Sequence, residues 1–193
     1  PLKELADSLA NARCNGSTIE LVEPPHSLEE AYRVQEEVAQ LIGGDSIGWK
    51  VGSTSAQAQA RLGTTEPGAG RLLQKFVFGD GAMVPIYPAH DVQVEVEFAF
   101  RFGTTLPPRA AAYERTEVVD ALDAFVPAME IVGSRYHTGL GGAGRELVTA
   151  DGGANIAFVG GAAKALPKGF DWAAQPCELT INGTPVAHGS GAR

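Results

Sequence analysis

Residues 92–102 read Val-Gln-Val-Glu-Val-Glu-Phe-Ala-Phe-Arg-Phe, an unbroken alternation of apolar and polar side chains. A pleated strand sends successive side chains to opposite faces, so it sorts this pattern into two surfaces, which a helix would not do. Val92, Val94, Val96, Phe98, Phe100 and Phe102 share one face, which is expected to be core. Gln93, Glu95, Glu97, Ala99 and Arg101 share the other. Two carboxylates two residues apart on one strand face lie roughly 6–7 Å apart at the backbone, close enough to repel unless water or a cation separates them. By itself the pair also suits the solvated outer face of an antiparallel strand.

A second carboxylate signal lies downstream. Ala128-Met129-Glu130-Ile131-Val132 places one glutamate inside an apolar, strand-like run, where at least partial burial is expected. A buried carboxylate is expensive unless a cation faces it. Glu95, Glu97 and Glu130 converging from two strands would form a hard, oxygen-rich, triply negative site suited to Mg²⁺ or Mn²⁺ rather than zinc. No His pair at metal spacing competes with it.

The rest of the chain divides by its punctuation. Leu2, Leu5 and Leu9 make one helical stripe. Ser27 with Glu30 three residues on predicts the capped start of a second helix, striped by Ala31, Val34, Val38 and Leu41 and stopped at Gly43-Gly44. A third short helix is expected over residues 55–62, ending at Gly63, and a strand at residues 46–52. After Pro67 the pattern turns to strands: residues 76–78, 84–87, 128–132, 155–159 and 177–181. One helix over residues 116–125, closed by Pro127, interrupts them. Asn182-Gly183 predicts a two-residue hairpin turn. With 24 Gly and 12 Pro spread as turns, many short elements are expected. The division expected is an N-terminal helical segment, residues 1–66, and a mixed β-roll carrying the metal site, residues 67–193.

Charge and composition exclude several partners. Fifteen Lys and Arg against 23 Asp and Glu give a net charge of −8, with no basic stripe to displace counterions from nucleic acid. No apolar run reaches the ~18 residues that read as a membrane span, and a cytoplasmic location is expected. Cys14 and Cys177 are far apart and form no CxxC, which reads as two buried or half-buried thiols in a reducing compartment. Residues 139–144 satisfy GxGxxG, but no helix pattern is evident after them, so a loop is expected there. His137 is a candidate to enter the site; the other histidines read as surface or loop residues.

Glu95-x-Glu97, followed by Pro127-Ala128-Met129-Glu130-Ile131-Val132-Gly133-Ser134-Arg135, resembles the fumarylacetoacetate hydrolase superfamily. More specifically, it resembles the branch of 2-keto-4-pentenoate hydratases and 4-oxalocrotonate decarboxylases. Ala31-Tyr32-Arg33-Val34-Gln35, Gly48-Trp49-Lys50-Val51-Gly52, Pro67-Gly68-Ala69-Gly70 and the stretch from Asn182-Gly183 to Gly189-Ser190-Gly191 extend the resemblance over nearly the whole chain.

The resemblance implies an α+β fold, an N-terminal helical segment packed on a mixed β-sheet roll. It implies that Glu95, Glu97 and Glu130 bind one divalent metal, usually Mg²⁺, which chelates a 2-oxo acid. It gives Lys50 a place at the site, holding the substrate carboxylate or moving a proton, with a pKa lowered by burial and by the metal. Arg135 is a candidate for supporting Glu130 and for binding substrate. The implied activity is hydration of 2-hydroxy-2,4-dienoates to 4-hydroxy-2-oxo acids in aromatic-compound catabolism, by a homo-oligomer. Decarboxylation of a 2-oxo diacid and C–C bond hydrolysis use the same chelated acid and stand as alternatives. The chain has Gly68-Ala69-Gly70 and Gln74-Lys75-Phe76 where the branch carries acidic residues, and this keeps a non-catalytic keto-acid- and metal-binding relative among them. Further strands and a serine- or threonine-containing turn are expected beyond Arg193, so the residues given are expected to leave sheet edges open.

Overall fold

The computed structural model describes residues 1–166 and 169–191. In chain order they form α1 (Leu2–Asn15), α2 (Leu28–Ile42), β1 (Ser46–Gly52), α3 (Ala56–Leu62), β2 (Gly68–Leu73), β3 (Val77–Gly79), β4 (Gln93–Phe102), α4 (Arg115–Asp120), β5 (Leu122–Val132), α5 (Arg145–Ala150), β6 (Asn155–Gly160), β7 (Lys164–Ala165), β8 (Pro176–Ile181) and β9 (Thr184–Ser190). The fold is α+β with a mixed sheet: the ladder runs β3-β6-β5-β4, with β7 pairing antiparallel to β5 at Ala124 and Phe125. Two further antiparallel pairs are β1-β2 and β8-β9. By packing the chain divides into two compact units, residues 1–95 with 130–159, and residues 96–129 with 160–193.

In the first unit the expected helix signals operate. Ser27 accepts from the Glu30 amide at the start of α2, and the Glu30 carboxylate reaches back to the His26 amide. Ser55 caps α3 in the same way, and Gly16 and Gly63 close α1 and α3 in the left-handed conformation. Leu5, Ala6 and Leu9 of α1 pack with Ala31, Val34 and Val38 of α2 and with Leu147 and Ala150 of α5 around a core that also buries Tyr136. β1 and β2 pair so that Lys50 faces Gly70 and Gly52 faces Gly68.

In the second unit Phe98, Phe100, Phe125, Phe170 and Trp172 form an aromatic group with ring centroids 4.6–6.4 Å apart. The β8-β9 hairpin turns at Asn182 and Gly183, both at positive φ (51° and 80°), and Ile181 pairs with Thr184. That is the backbone an Asn-Gly turn is chosen for.

Six expectations are corrected. Residues 84–87 form no strand; Pro85 and Pro88 each lack an N–H for a ladder, and a 3-10 turn, Pro88–His90, follows. The helix expected over 116–125 ends at Asp120, and β5 runs from Leu122 straight through Pro127, whose carbonyl accepts the Gly161 amide at 2.9 Å. A proline can sit in a strand where only its carbonyl is used. Residues 139–144 are followed by a helix, α5, too short for its stripe of Leu147 and Ala150 to register as a period. The apolar face of β4 is not buried core: Val94 and Phe102 are 45% and 52% exposed, and the aromatic group covers it only in part. His90 is buried rather than at the surface, with Nε2 2.8 Å from the Ser17 carbonyl. Cys14 is exposed and Cys177 half-buried, and both are free thiols. Arg193, beyond which further strands are expected, lies outside the described residues.

Candidate metal centre

Glu130 occupies the inward register of β5, on the same face as the buried Ala128 and Val132. The strand therefore carries its carboxylate into the interior, where it is 2% exposed. Two donors meet it there. The Asn155 side-chain amide donates to Oε1 at 2.8 Å, and the Lys50 ammonium lies 3.2 Å from Oε2. Lys50 is itself nearly buried and donates to the Gly153 carbonyl at 2.9 Å. Burial raises the Glu130 pKa above its usual value; Lys50 and the Asn155 bond oppose the rise, and the Glu95 charge adds to it.

Glu95 and Glu97 lie on β4, which neighbours β5 in the sheet. One carboxylate oxygen from each of Glu95, Glu97 and Glu130 comes within 4.8 Å of the other two. Glu95 is exposed, Glu97 half-buried and Glu130 buried. Three carboxylates converge beside the Lys50 ammonium, and every converging donor is a hard oxygen. That donor set fits a small divalent cation such as Mg²⁺ or Mn²⁺, which prefers carboxylate oxygens.

The floor of the centre is the turn that leads into β6. Gly152, Gly153 and Ala154 all have positive φ, at 68°, 67° and 64°. Successive left-handed residues turn the chain sharply enough to present Asp151, the Gly153 carbonyl and Asn155 to three different partners. A Cβ at Gly70 would collide with the Gly152 carbonyl, so only glycine at 70 lets β2 approach the turn. Asp151 receives Arg135: Nε donates to Oδ1 at 2.5 Å, Nη2 to the Asp151 carbonyl at 2.6 Å and the Arg135 amide to Oδ2 at 3.1 Å.

Of the residues expected at the site, Glu95, Glu97, Glu130 and Lys50 are brought together. Arg135 is fully buried against Asp151, and the donors on Glu130 are Lys50 and Asn155. His137 is set on Glu20, with Nδ1 3.2 Å from the carboxylate, and is half exposed. Two residues escaped the sequence reading. Asn155 looked like the first residue of a strand. Arg13 continues the Leu5–Leu9 stripe of α1 at the next four-residue step, and a cation on an apolar stripe was the available signal. Burial pushes the Arg13 guanidinium below its usual pKa, with Arg135 adding to the fall and Asp151 and Glu130 opposing it.

No protein-family model matches the chain. The 2-keto-4-pentenoate hydratase of Paraburkholderia xenovorans (strain LB400) is 32% identical over 198 residues, an alignment covering 98% of this chain and 71% of that protein. The chain belongs to the 2-keto-4-pentenoate hydratase family. It is thereby an enzyme. The family's neighbours include decarboxylases: 4-oxalocrotonate decarboxylase of Pseudomonas sp. (strain CF600) is 27% identical, covering 97% of this chain and 72% of its own length. The structure of 4-oxalocrotonate decarboxylase from Pseudomonas putida G7, complexed with magnesium and adipate, superposes with a TM-score of 0.84 at 25% identity over 99% of this chain and 73% of that one. A second structure of that decarboxylase, with calcium and acetate, gives a TM-score of 0.83. Among the described residues no helix is long and apolar enough to cross a membrane.

Proposed function

We propose that the chain is a divalent-metal-dependent hydratase of the fumarylacetoacetate hydrolase superfamily, adding water to 2-hydroxy-2,4-dienoates to give 4-hydroxy-2-oxo acids in aromatic-compound breakdown. It acts in the cytoplasm as a homo-oligomer. The observation that carries this reading is the convergence of Glu95, Glu97 and Glu130 beside the buried Lys50. Glu95, Glu97 and Glu130 would hold the metal, Mg²⁺ or alternatively Mn²⁺. Once bound, that cation would supply Lewis-acid stabilisation to the negative charge that develops on the 2-oxo oxygen.

The chain's own residues do the rest. Lys50 Nζ holds the substrate carboxylate or carries a proton, its position fixed by the Gly153 carbonyl and Glu130. Asn155 keeps Glu130 oriented, and the Arg135–Asp151 pair supports the turn that carries Asn155.

The purified protein with Mg²⁺ and 2-hydroxypenta-2,4-dienoate is expected to show loss of the dienol ultraviolet absorbance, with Glu97→Gln reducing turnover about a hundredfold. Unchanged Mg²⁺ affinity and turnover in Glu97→Gln would contradict the reading. A second reading, decarboxylation of a 2-oxo diacid, is favoured by the likeness to two decarboxylases. Release of CO₂ from such a diacid, without hydration of the dienoate, would select it. Binding of 2-oxo acids without turnover would select a non-catalytic relative instead.

A further inference from the structure

Arg13 is the innermost cation of α1, 8% exposed, and it reaches the centre through one intermediary. Its Nη2 donates to Asn155 Oδ1 at 2.8 Å and to the Ile156 carbonyl at 3.2 Å. Its guanidinium lies over the Phe76 ring, 4.3 Å from the centroid, and its Nη1 packs toward Gly152. These contacts leave it one pose.

We propose that Arg13 is a positioning residue: it fixes which way the Asn155 side-chain amide points, and so holds Glu130 in its metal-binding orientation. The reasoning is a matter of donors and acceptors. Arginine can only donate, so the Asn155 atom facing Arg13 is the oxygen. The amide nitrogen is then turned to the other side, where it meets Glu130 Oε1 at 2.8 Å. Glu130 can only accept when ionised, so the chain Arg13–Asn155–Glu130 is directional, and reversing the amide would break both bonds at once. With Oε1 on Asn155 and Oε2 beside Lys50, the carboxylate cannot rotate without losing a partner. Partners of this kind, one step behind a metal ligand, typically change metal affinity by about 10–100-fold when removed. That part of the inference rests on Glu130 being a metal ligand; the amide orientation does not.

The test has two readouts. In the metal-free, ¹⁵N-labelled protein, the Asn155 side-chain amide protons are expected to be protected from solvent exchange. Arg13→Met lowers that protection at least tenfold while the backbone amides of β6 keep theirs, and Arg13→Lys, which retains a cation and a donor, restores part of it. Unchanged side-chain protection in Arg13→Met overturns the proposal. So does an equal loss at the β6 backbone, which would make Arg13 a fold-stabilising residue only. In the second readout, Mn²⁺ titrated into the metal-free protein binds about tenfold more weakly to Arg13→Met, and Arg13→Met/Asn155→Ala binds no more weakly than Asn155→Ala alone. Multiplying penalties in the double variant overturn the relay. A wild-type chain that bound no Mn²⁺ would count against Glu130 as a ligand, and the exchange experiment would still decide the orientation of Asn155.

Discussion

Lys50 and Glu130 each sit where an isolated charge would be unstable. Both side chains are less than one-tenth exposed, and Lys50 Nζ lies 3.2 Å from Glu130 Oε2. Lys50→Met is therefore expected to destabilise the metal-free protein by about 3–5 kcal/mol, the usual cost of breaking a buried pair from one side, read from urea unfolding. A loss under ~1 kcal/mol would mean that water already solvates Glu130. The raised Glu130 pKa has a sign that can be checked. The folded chain holds this proton more tightly than the unfolded chain, so the linked stability is full below pH 4.5 and is lost as pH rises through the raised folded value. Glu130→Gln removes the titration, so its unfolding free energy should fall less than that of wild type as pH rises from 4.5; parallel profiles would contradict the assignment. Glu130 was legible in the sequence because a carboxylate between Met129 and Ile131 breaks an apolar run. Asn155 was not, because an asparagine before Ile156 reads equally as a turn residue, and its two partners come from β5 and α1.

At the scale of elements, the turn at residues 152–154 does the positioning. Ala154 holds φ at 64°, a conformation that costs a residue with a Cβ roughly 1–2 kcal/mol, part of which glycine's extra chain entropy would offset. Ala154→Gly is thus expected to stabilise the protein by about 0.5 kcal/mol, measured by thermal unfolding. Gly70→Ala goes the other way: its methyl would meet the Gly152 carbonyl and the Lys50 stem, and a loss of about 1–3 kcal/mol is expected, with weakened metal binding. Elements bounded by local chemistry were readable, as Ser27 and Ser55 at helix starts and Asn182-Gly183 at the hairpin show. β5 was not, since Pro127 signals an ending in local terms and is accommodated only because Gly161 approaches its carbonyl. The alternation of β4 anticipated that Glu95 and Glu97 reach one site and that Phe98 and Phe100 share one aromatic group, while the burial of its apolar face depends on what covers it and is not encoded in the alternation.

For the whole molecule, the carboxylates on β4 and β5 and the lysine on β1 are far apart in sequence, and the fold supplies their meeting. The resemblance in Glu95-x-Glu97, Glu130 and Gly-Trp-Lys anticipated that meeting, and the α+β fold it implied is borne out by the likeness to the decarboxylase structure. A cation that binds only the folded chain should also raise its stability, by about 2.7 kcal/mol at a concentration one hundred times the dissociation constant. The most direct measurement is a calorimetric titration of Mg²⁺ into the metal-free wild-type protein and into Glu95→Gln, Glu97→Gln and Glu130→Gln. One Mg²⁺ per wild-type chain, with affinity reduced at least tenfold in each variant, is the predicted result. Wild-type binding that survives all three substitutions, or no binding at all, would contradict a metal centre built from these three glutamates.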